Sequence, residues 1–61
     1  MKELDVVKLN EDYKGLSANT QGTIVLKYDD TLFEVEFFNN DGDTIDVLTT
    51  PIDLLELITE V

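Results

Sequence analysis

One stretch of the chain alternates between apolar and charged residues more regularly than any other. Phe33, Val35 and Phe37 are separated by Glu34 and Glu36. Because successive side chains of a β-strand point to opposite faces, a strand here places three large apolar groups on one face and two carboxylates on the other. The pattern predicts a strand whose inner face builds a core and whose outer face is charged.

Two further strands are predicted before this one. Residues 4–9 have apolar side chains at both parities, which is typical of a strand at a barrel corner or between two sheets. Residues 22–28 place alternate side chains from Ile24 to Tyr28 on one face. We expect Gly22 to provide either a positive φ or a close approach to the first strand, which a side chain would block.

The segment between these strands, residues 10–21, has no sustained periodicity and is rich in Asn, Asp, Ser, Gly and Thr. It is predicted to be a loop. A loop of this length is either a binding loop or a crossing loop that Leu16 and Tyr13 pin to the core.

The turn at residues 29–32 joins the second and third strands into a hairpin. In an antiparallel hairpin, the numbers of opposite residues add up to the same value. We expect the register in which every apolar side chain lies on one face. The predicted pairs are Ile24 with Phe37, Leu26 with Val35, and Tyr28 with Phe33.

A second hairpin turn is predicted at residues 39–43, with Gly42 in the left-handed conformation of a bulge. This turn pairs Phe37 with Ile45 and Val35 with Val47, so that Ile45 and Val47 point inward.

The same register places Glu36 opposite Asp46 on the outer face. Like charges opposite each other weaken strand pairing by a few tenths of a kcal/mol or more. The pair therefore indicates either well-hydrated side chains or a cationic partner.

A helix start is predicted at Thr50, with Pro51 at the first helical position and Asp53 in the first turn. Residues 54–60 fit either a short helix or one turn followed by a strand, and their β-branched end favours the strand. Together, these elements predict one all-β domain over residues 1–61. Its expected fold is a small five-stranded SH3-like barrel with one short helical turn before the last strand.

Charge is distributed very unevenly. The net charge is −10, yet residues 1–27 sum to zero. From Tyr28 onward there are ten carboxylates and no Lys or Arg. Such a field repels nucleic acid and anionic membranes and attracts basic protein surfaces, so we expect no direct nucleic-acid binding and no membrane binding. A surface that only keeps a small domain soluble and monomeric is the alternative.

The residue types present leave little room for catalysis. The chain has no His, Cys, Arg or Trp, so neither Ser-His nor Cys-His pairs nor thiolate or imidazole metal sites can form. Aligning Gly42 with the invariant glycine of an EF-hand loop puts Phe37 and Leu48 at ligand positions, where neither can bind calcium. We expect no enzyme activity and no cofactor. The absence of Cys and of a signal peptide or membrane span favours a cytoplasmic location.

Three motifs together resemble a family of short bacterial proteins grouped as a domain of unknown function: residues 4–9, residues 22–25, and residues 33–37 with the Asp41–Thr44 turn. The first two segments and the loop containing Gly15 are also similar to the KOW type of SH3-like barrel, but the basic residues of that type are missing. The resemblance implies an SH3-like fold and an association with bacterial toxin loci, where a small acidic partner neutralises a toxin domain. It assigns no functional residue.

The expected function is that of a non-enzymatic acidic protein-binding module, an immunity or antitoxin-like protein that docks on a basic site of its partner, such as a toxin domain. The alternatives are a nucleic-acid mimic that inhibits a DNA- or RNA-handling protein, and a purely structural, self-associating barrel. The chain itself is expected to be a monomer or a weak homo-oligomer. The candidate partner-binding residues are Glu34, Glu36, Phe38, Asp41, Asp43 and Asp46.

Overall fold

The computed structural model describes residues 1–61 and contains one antiparallel sheet of five strands. The strands are β1 (Val6–Leu9), β2 (Gln21–Lys27), β3 (Leu32–Phe38), β4 (Thr44–Pro51) and β5 (Leu55–Thr59), and a single 3-10 turn (Ile52–Leu54) precedes β5. Their order across the sheet is β4-β3-β2-β1-β5. The predicted all-β fold, a small SH3-like barrel with one helical turn before its last strand, is confirmed.

The core is built around the inner face of β3. Phe33, Val35 and Phe37 are all essentially inaccessible to solvent, as their alternation with Glu34 and Glu36 predicts. Large apolar groups contribute most of the burial energy of so small a domain, about 1.5–3 kcal/mol for each fully buried side chain. The other core residues come from the remaining inner positions of the sheet: Val7, Leu9, Ile24 and Leu55.

Gly22 lies where β2 packs most closely on β3. A Cβ at this position would be 2.6 Å from Cγ1 of Val35 and 2.9 Å from the carbonyl oxygen of Glu36. Non-bonded carbon atoms prefer about 3.5–4.0 Å, so no side chain fits. Positive φ is found only at Gly15 and Gly42 among the glycines. The close approach is therefore the reason for this glycine, although the neighbour is β3 and not the predicted first strand.

The pairing of β2 with β3 departs from the predicted register. Ile24 lies opposite Val35 instead of Phe37, and the register shifts between Ile24 and Leu26. The extra residue, Val25, forms a bulge that breaks the alternation of inward and outward side chains. The predicted inward positions that are instead exposed to solvent are Leu26 and Tyr28.

The pairing of β3 with β4 is also shifted from the prediction. Val35 lies opposite Leu48 instead of Val47, because the register changes between Phe37 and Phe38 and leaves Ile45 as an extra residue in β4. A shift of one residue exchanges the two faces of a strand. The prediction that Ile45 and Val47 point inward is therefore wrong: both are exposed.

The same shift separates the predicted pair of like charges. Glu36 lies opposite Val47, and Asp46 lies opposite Phe37. The two carboxylates are not cross-strand neighbours, so no repulsion between them needs to be offset.

The turn between β3 and β4 has the predicted left-handed glycine. Gly42 has a φ of +86°. The side-chain Oδ1 of Asn39 accepts hydrogen bonds from the backbone N–H groups of Asp41 and Asp43 at 2.9 and 3.0 Å. The turn is thus held by an asparagine side chain at its first position, an arrangement common in Asx turns.

The end of the chain is one turn followed by a strand, as predicted, but the helix start is displaced. Thr50 lies in β4, is fully buried, and donates its hydroxyl hydrogen to the carbonyl oxygen of Leu48 at 3.1 Å. Pro51 occupies the cap position instead of the first helical position. Thr50 cannot cap the turn because it is the strand partner of Phe33.

The long loop before β2 is pinned to the barrel by the two residues expected to do so. Tyr13 and Leu16 pair with each other and pack against the core. The Tyr13 hydroxyl donates a hydrogen bond to the carbonyl oxygen of Thr49 in β4 at 2.8 Å.

The first strand is shorter than predicted, because the chain bends before Val6. Leu4 has a φ of 74° and is exposed, while its N–H donates to the carbonyl oxygen of Ile24 at 2.7 Å. Of the apolar residues predicted on both faces, only Val7 and Leu9 are buried.

Asp5, at this bend, is a buried carboxylate. Its oxygens accept hydrogen bonds from the side chain of Lys2 at 2.9 Å and from the backbone N–H groups of Lys2 and Val61 at 3.0 and 3.1 Å. These bonds, that of the Lys2 side chain above all and then that of Val61, lower the pKa of Asp5 from 3.8 to about 2.

Replacing Gly22 by alanine is expected to destabilise the protein by roughly 1–3 kcal/mol, since Val35 or the backbone of β3 must shift to admit the methyl group. Urea unfolding measures the change. Thr23→Ala, one residue along on the outer face, is the control and should cost less than about 1 kcal/mol. Equal stability of Gly22→Ala and the wild type would contradict the close packing of these strands.

The depressed pKa of Asp5 predicts a specific pH dependence. A carboxylate whose pKa is lower in the folded state stabilises that state above the unfolded pKa, and the contribution is lost as the pH falls through the folded pKa. We expect the wild type to be more stable than Asp5→Asn at about pH 6, and the difference to shrink as the pH falls from about 4 to about 2. A difference independent of pH, in urea titrations at several pH values, would contradict the assignment.

Candidate functional site

The outer face of β3 places Glu34, Glu36 and Phe38 in one row, because their parity is opposite to that of the buried residues. All three are half-buried. The structure therefore brings together three of the six predicted site residues on the same face of the sheet.

The two glutamates of this row are held by threonines of β4. The Thr49 hydroxyl donates to Oε1 of Glu34 at 2.6 Å, and the Thr44 hydroxyl donates to Oε2 of Glu36 at 3.3 Å. These bonds orient both carboxylates without neutralising them.

No lysine pairs with the six candidate residues. Three of the four lysines form ion pairs elsewhere: Lys2 with Asp5, Lys8 with Glu56, and Lys27 with Asp30. Lys14 lies over the ring of Tyr13, 5.3 Å from its centroid. The negative charge of this surface is thus not offset by a salt bridge within the molecule.

The remaining predicted residues lie outside this row, in the turn between β3 and β4 and on β4 itself. Asp41 and Asp43 are exposed in the turn between β3 and β4, where the Asn39 side chain bonds their backbone N–H groups. Asp46 is also exposed, but it is the strand partner of the buried Phe37 and so has the inner parity, opposite to that of the row on β3. Its Oδ1 accepts the N–H of Val47 at 2.8 Å. The expected single acidic face is therefore a row on β3 with two further carboxylates in the adjoining turn, and the prediction that Asp46 belongs to this face is wrong.

Ile45 and Val47 are the residues of this surface that the sequence did not identify. Their side chains are 48% and 44% exposed. Val47 is the cross-strand neighbour of Glu36, and Ile45 lies beside Phe38 at a shallow groove. β4 has apolar side chains at both odd and even positions, so the sequence pattern alone allowed either face to point inward. In the structure, the inner face is the one that carries Leu48 and Thr50.

The groove lies between the end of the long loop and the turn that precedes β4, and its volume is about 520 Å³. All of its lining residues are uncharged, in contrast to the carboxylates around it. They are Ser17, Ala18, Asn19, Thr20, Gln21, Phe38, Asn39, Asn40, Gly42 and Ile45.

We define the β3–β4 surface as Glu34, Glu36, Phe38, Asp41 and Asp43 together with Ile45 and Val47. Chemically, it offers apolar contact beside hydrogen-bond acceptors that carry negative charge. The carboxylates form no group of three or more that could hold a metal ion. The structure has no helix that is long and apolar enough to cross a bilayer.

Comparison with known proteins identifies a family. No curated protein and no solved structure matches the chain. A family model described as a domain of unknown function, DUF4926, matches residues 3–57 and so includes β1 to β4 completely. Because the match extends over most of the sequence, the chain belongs to the DUF4926 family.

Proposed function

We propose that this protein is a non-enzymatic binding module that docks its β3–β4 surface on a basic site of a partner protein. The observation that carries the proposal is the exposure of Ile45 and Val47, next to the half-buried Phe38, beside unneutralised carboxylates. Protein interfaces combine an apolar centre, which is desolvated on binding, with a polar rim that sets orientation and specificity.

The charge distribution supports a cationic partner. Of the ten carboxylates from Asp29 onward, only Asp30 and Glu56 form salt bridges. The other eight create a negative field on a domain with no positive residue after Lys27. Such a field accelerates association with a basic surface and makes the rate fall as salt is added.

Within this class, we favour an immunity or antitoxin-like role in the bacterial cytoplasm, in which the module covers a basic site of a toxin domain. The resemblance to short proteins associated with toxin loci supports this assignment, as do the small size and the acidity of the chain. A toxin that acts on nucleic acid needs a basic substrate site, and an acidic protein can occupy it.

Charge reversal on β3 tests the proposal. The double variant Glu34→Lys with Glu36→Lys is expected to weaken binding of the protein encoded by the adjacent gene at least about tenfold, or about 1.4 kcal/mol. The control, Glu3→Lys with Glu11→Lys, changes the net charge equally at two exposed positions outside the surface. It should change the Kd less than about threefold.

Isothermal titration calorimetry at two salt concentrations measures both effects. Equal losses in the two double variants would mean that only net charge matters, and no loss in either would refute the proposal. Competition by duplex or single-stranded nucleic acid for the same partner would identify the protein as a nucleic-acid mimic.

A further inference from the structure

β4 is an edge strand with an open side. It is the first strand in the sheet order and pairs with β3 alone. From Thr44 to Thr49 this edge is about 17 Å long, at about 3.3 Å for each step from one residue to the next. An unpaired edge of this length can accept another strand.

Two hydrogen bonds show which backbone groups face the free edge. The N–H of Val47 is bonded to the side chain of Asp46 at 2.8 Å, and the carbonyl oxygen of Thr49 accepts from Tyr13 at 2.8 Å. Within a strand, the N–H and C=O of alternate residues point to the same side. The edge therefore presents the backbone groups of Val47 and Thr49.

The edge is only partly protected against strand pairing. Soluble proteins place lysine, proline or bulges on exposed edges. Here, β4 has no lysine, its only proline is Pro51 at the far end, and the bulge at Ile45 turns two apolar side chains outward. At one end the Tyr13 hydroxyl covers the carbonyl oxygen of Thr49. The N–H of Val47 is covered by the Asp46 carboxylate, and this exposed side chain can rotate away.

We propose that the partner contributes an extended segment with basic side chains, which pairs with the free edge of β4 as a sixth strand. This inference rests on the proposed function and specifies how the partner binds. The incoming strand's carbonyl oxygen accepts the N–H of Val47, and the released Asp46 carboxylate binds a lysine or arginine of the segment. Strand addition of this kind supplies affinity through backbone hydrogen bonds and specificity through alternate side chains.

Charge decides between a basic segment and a second copy of this chain. Each copy has a net charge of −10, so two β4 edges would meet against mutual repulsion. A basic segment instead gains attraction from Asp43 and Asp46, and its apolar side chains can contact Val47.

The first test uses a capped peptide of about seven alternating lysine and valine residues as the probe, up to about 1 mM. We expect NMR titration to shift the Val47 and Thr49 amide signals. The same peptide, N-methylated at every backbone nitrogen, keeps its charge but has no backbone N–H on either edge, and should bind at least about tenfold more weakly. Equal affinity of the two peptides, or no binding of either, would overturn strand addition.

The second test changes the edge itself. Val47→Pro removes an edge N–H that β3 does not use, and proline is tolerated at such positions. It should weaken peptide binding at least about tenfold, whereas Val47→Thr, which keeps the N–H, should cost about threefold or less. Circular dichroism and urea unfolding check that both variants fold.

Equal binding of Val47→Pro and Val47→Thr would refute strand addition. If the charge reversals on β3 still weakened binding of the native partner, the proposed function would stand. Dimers of the protein alone in sedimentation experiments would identify a second copy as the occupant and also refute the inference.

Discussion

The burial of Phe33, Val35 and Phe37 on one face of β3 is the constraint on which the rest of the structure depends. These side chains fill the small core, so each neighbouring strand must present a compatible inner face. On the β2 side, Gly22 satisfies this requirement by leaving room for Val35. On the β4 side, Leu48 and Thr50 supply the inner positions, and the outer positions of β3 are left to carboxylates and Phe38.

The bulge at Ile45 determines which side chains of β4 belong to the core and which to the candidate binding surface. Without the extra residue, Ile45 and Val47 would point inward and the outer face would be almost purely acidic. With it, two apolar side chains lie exposed beside Glu36 and Phe38. A purely charged surface gains little net affinity on desolvation, whereas apolar side chains among charges can supply both affinity and orientation.

Local patterns in the sequence were sufficient to predict many of these features. The alternation of β3 identified its inner face, the turn residues identified Gly42 as left-handed, and Tyr13 and Leu16 were expected to pin the long loop. Each depends on the chemistry of a few adjacent residues. The five-stranded fold followed from the spacing of such signals.

The bulges at Val25 and Ile45 could not be predicted in the same way. Both lie in stretches with apolar residues at both parities, so the period-two pattern fits more than one register. Packing against β3 determines which register forms, and this packing cannot be predicted from a local sequence pattern. Glu34, Glu36 and Phe38 were therefore placed correctly on one face, while the faces assigned to Ile45, Asp46 and Val47 were wrong.

The register between β3 and β4 in solution tests the exposure of Ile45 and Val47 most directly. Residues opposite each other in an antiparallel pair that exchanges no hydrogen bonds have Cα atoms about 4.5 Å apart, so their α-protons give strong nuclear Overhauser effects. We expect such an effect between the α-protons of Glu36 and Val47. An effect between Glu36 and Asp46 instead would return Ile45 and Val47 to the core and contradict the proposed surface.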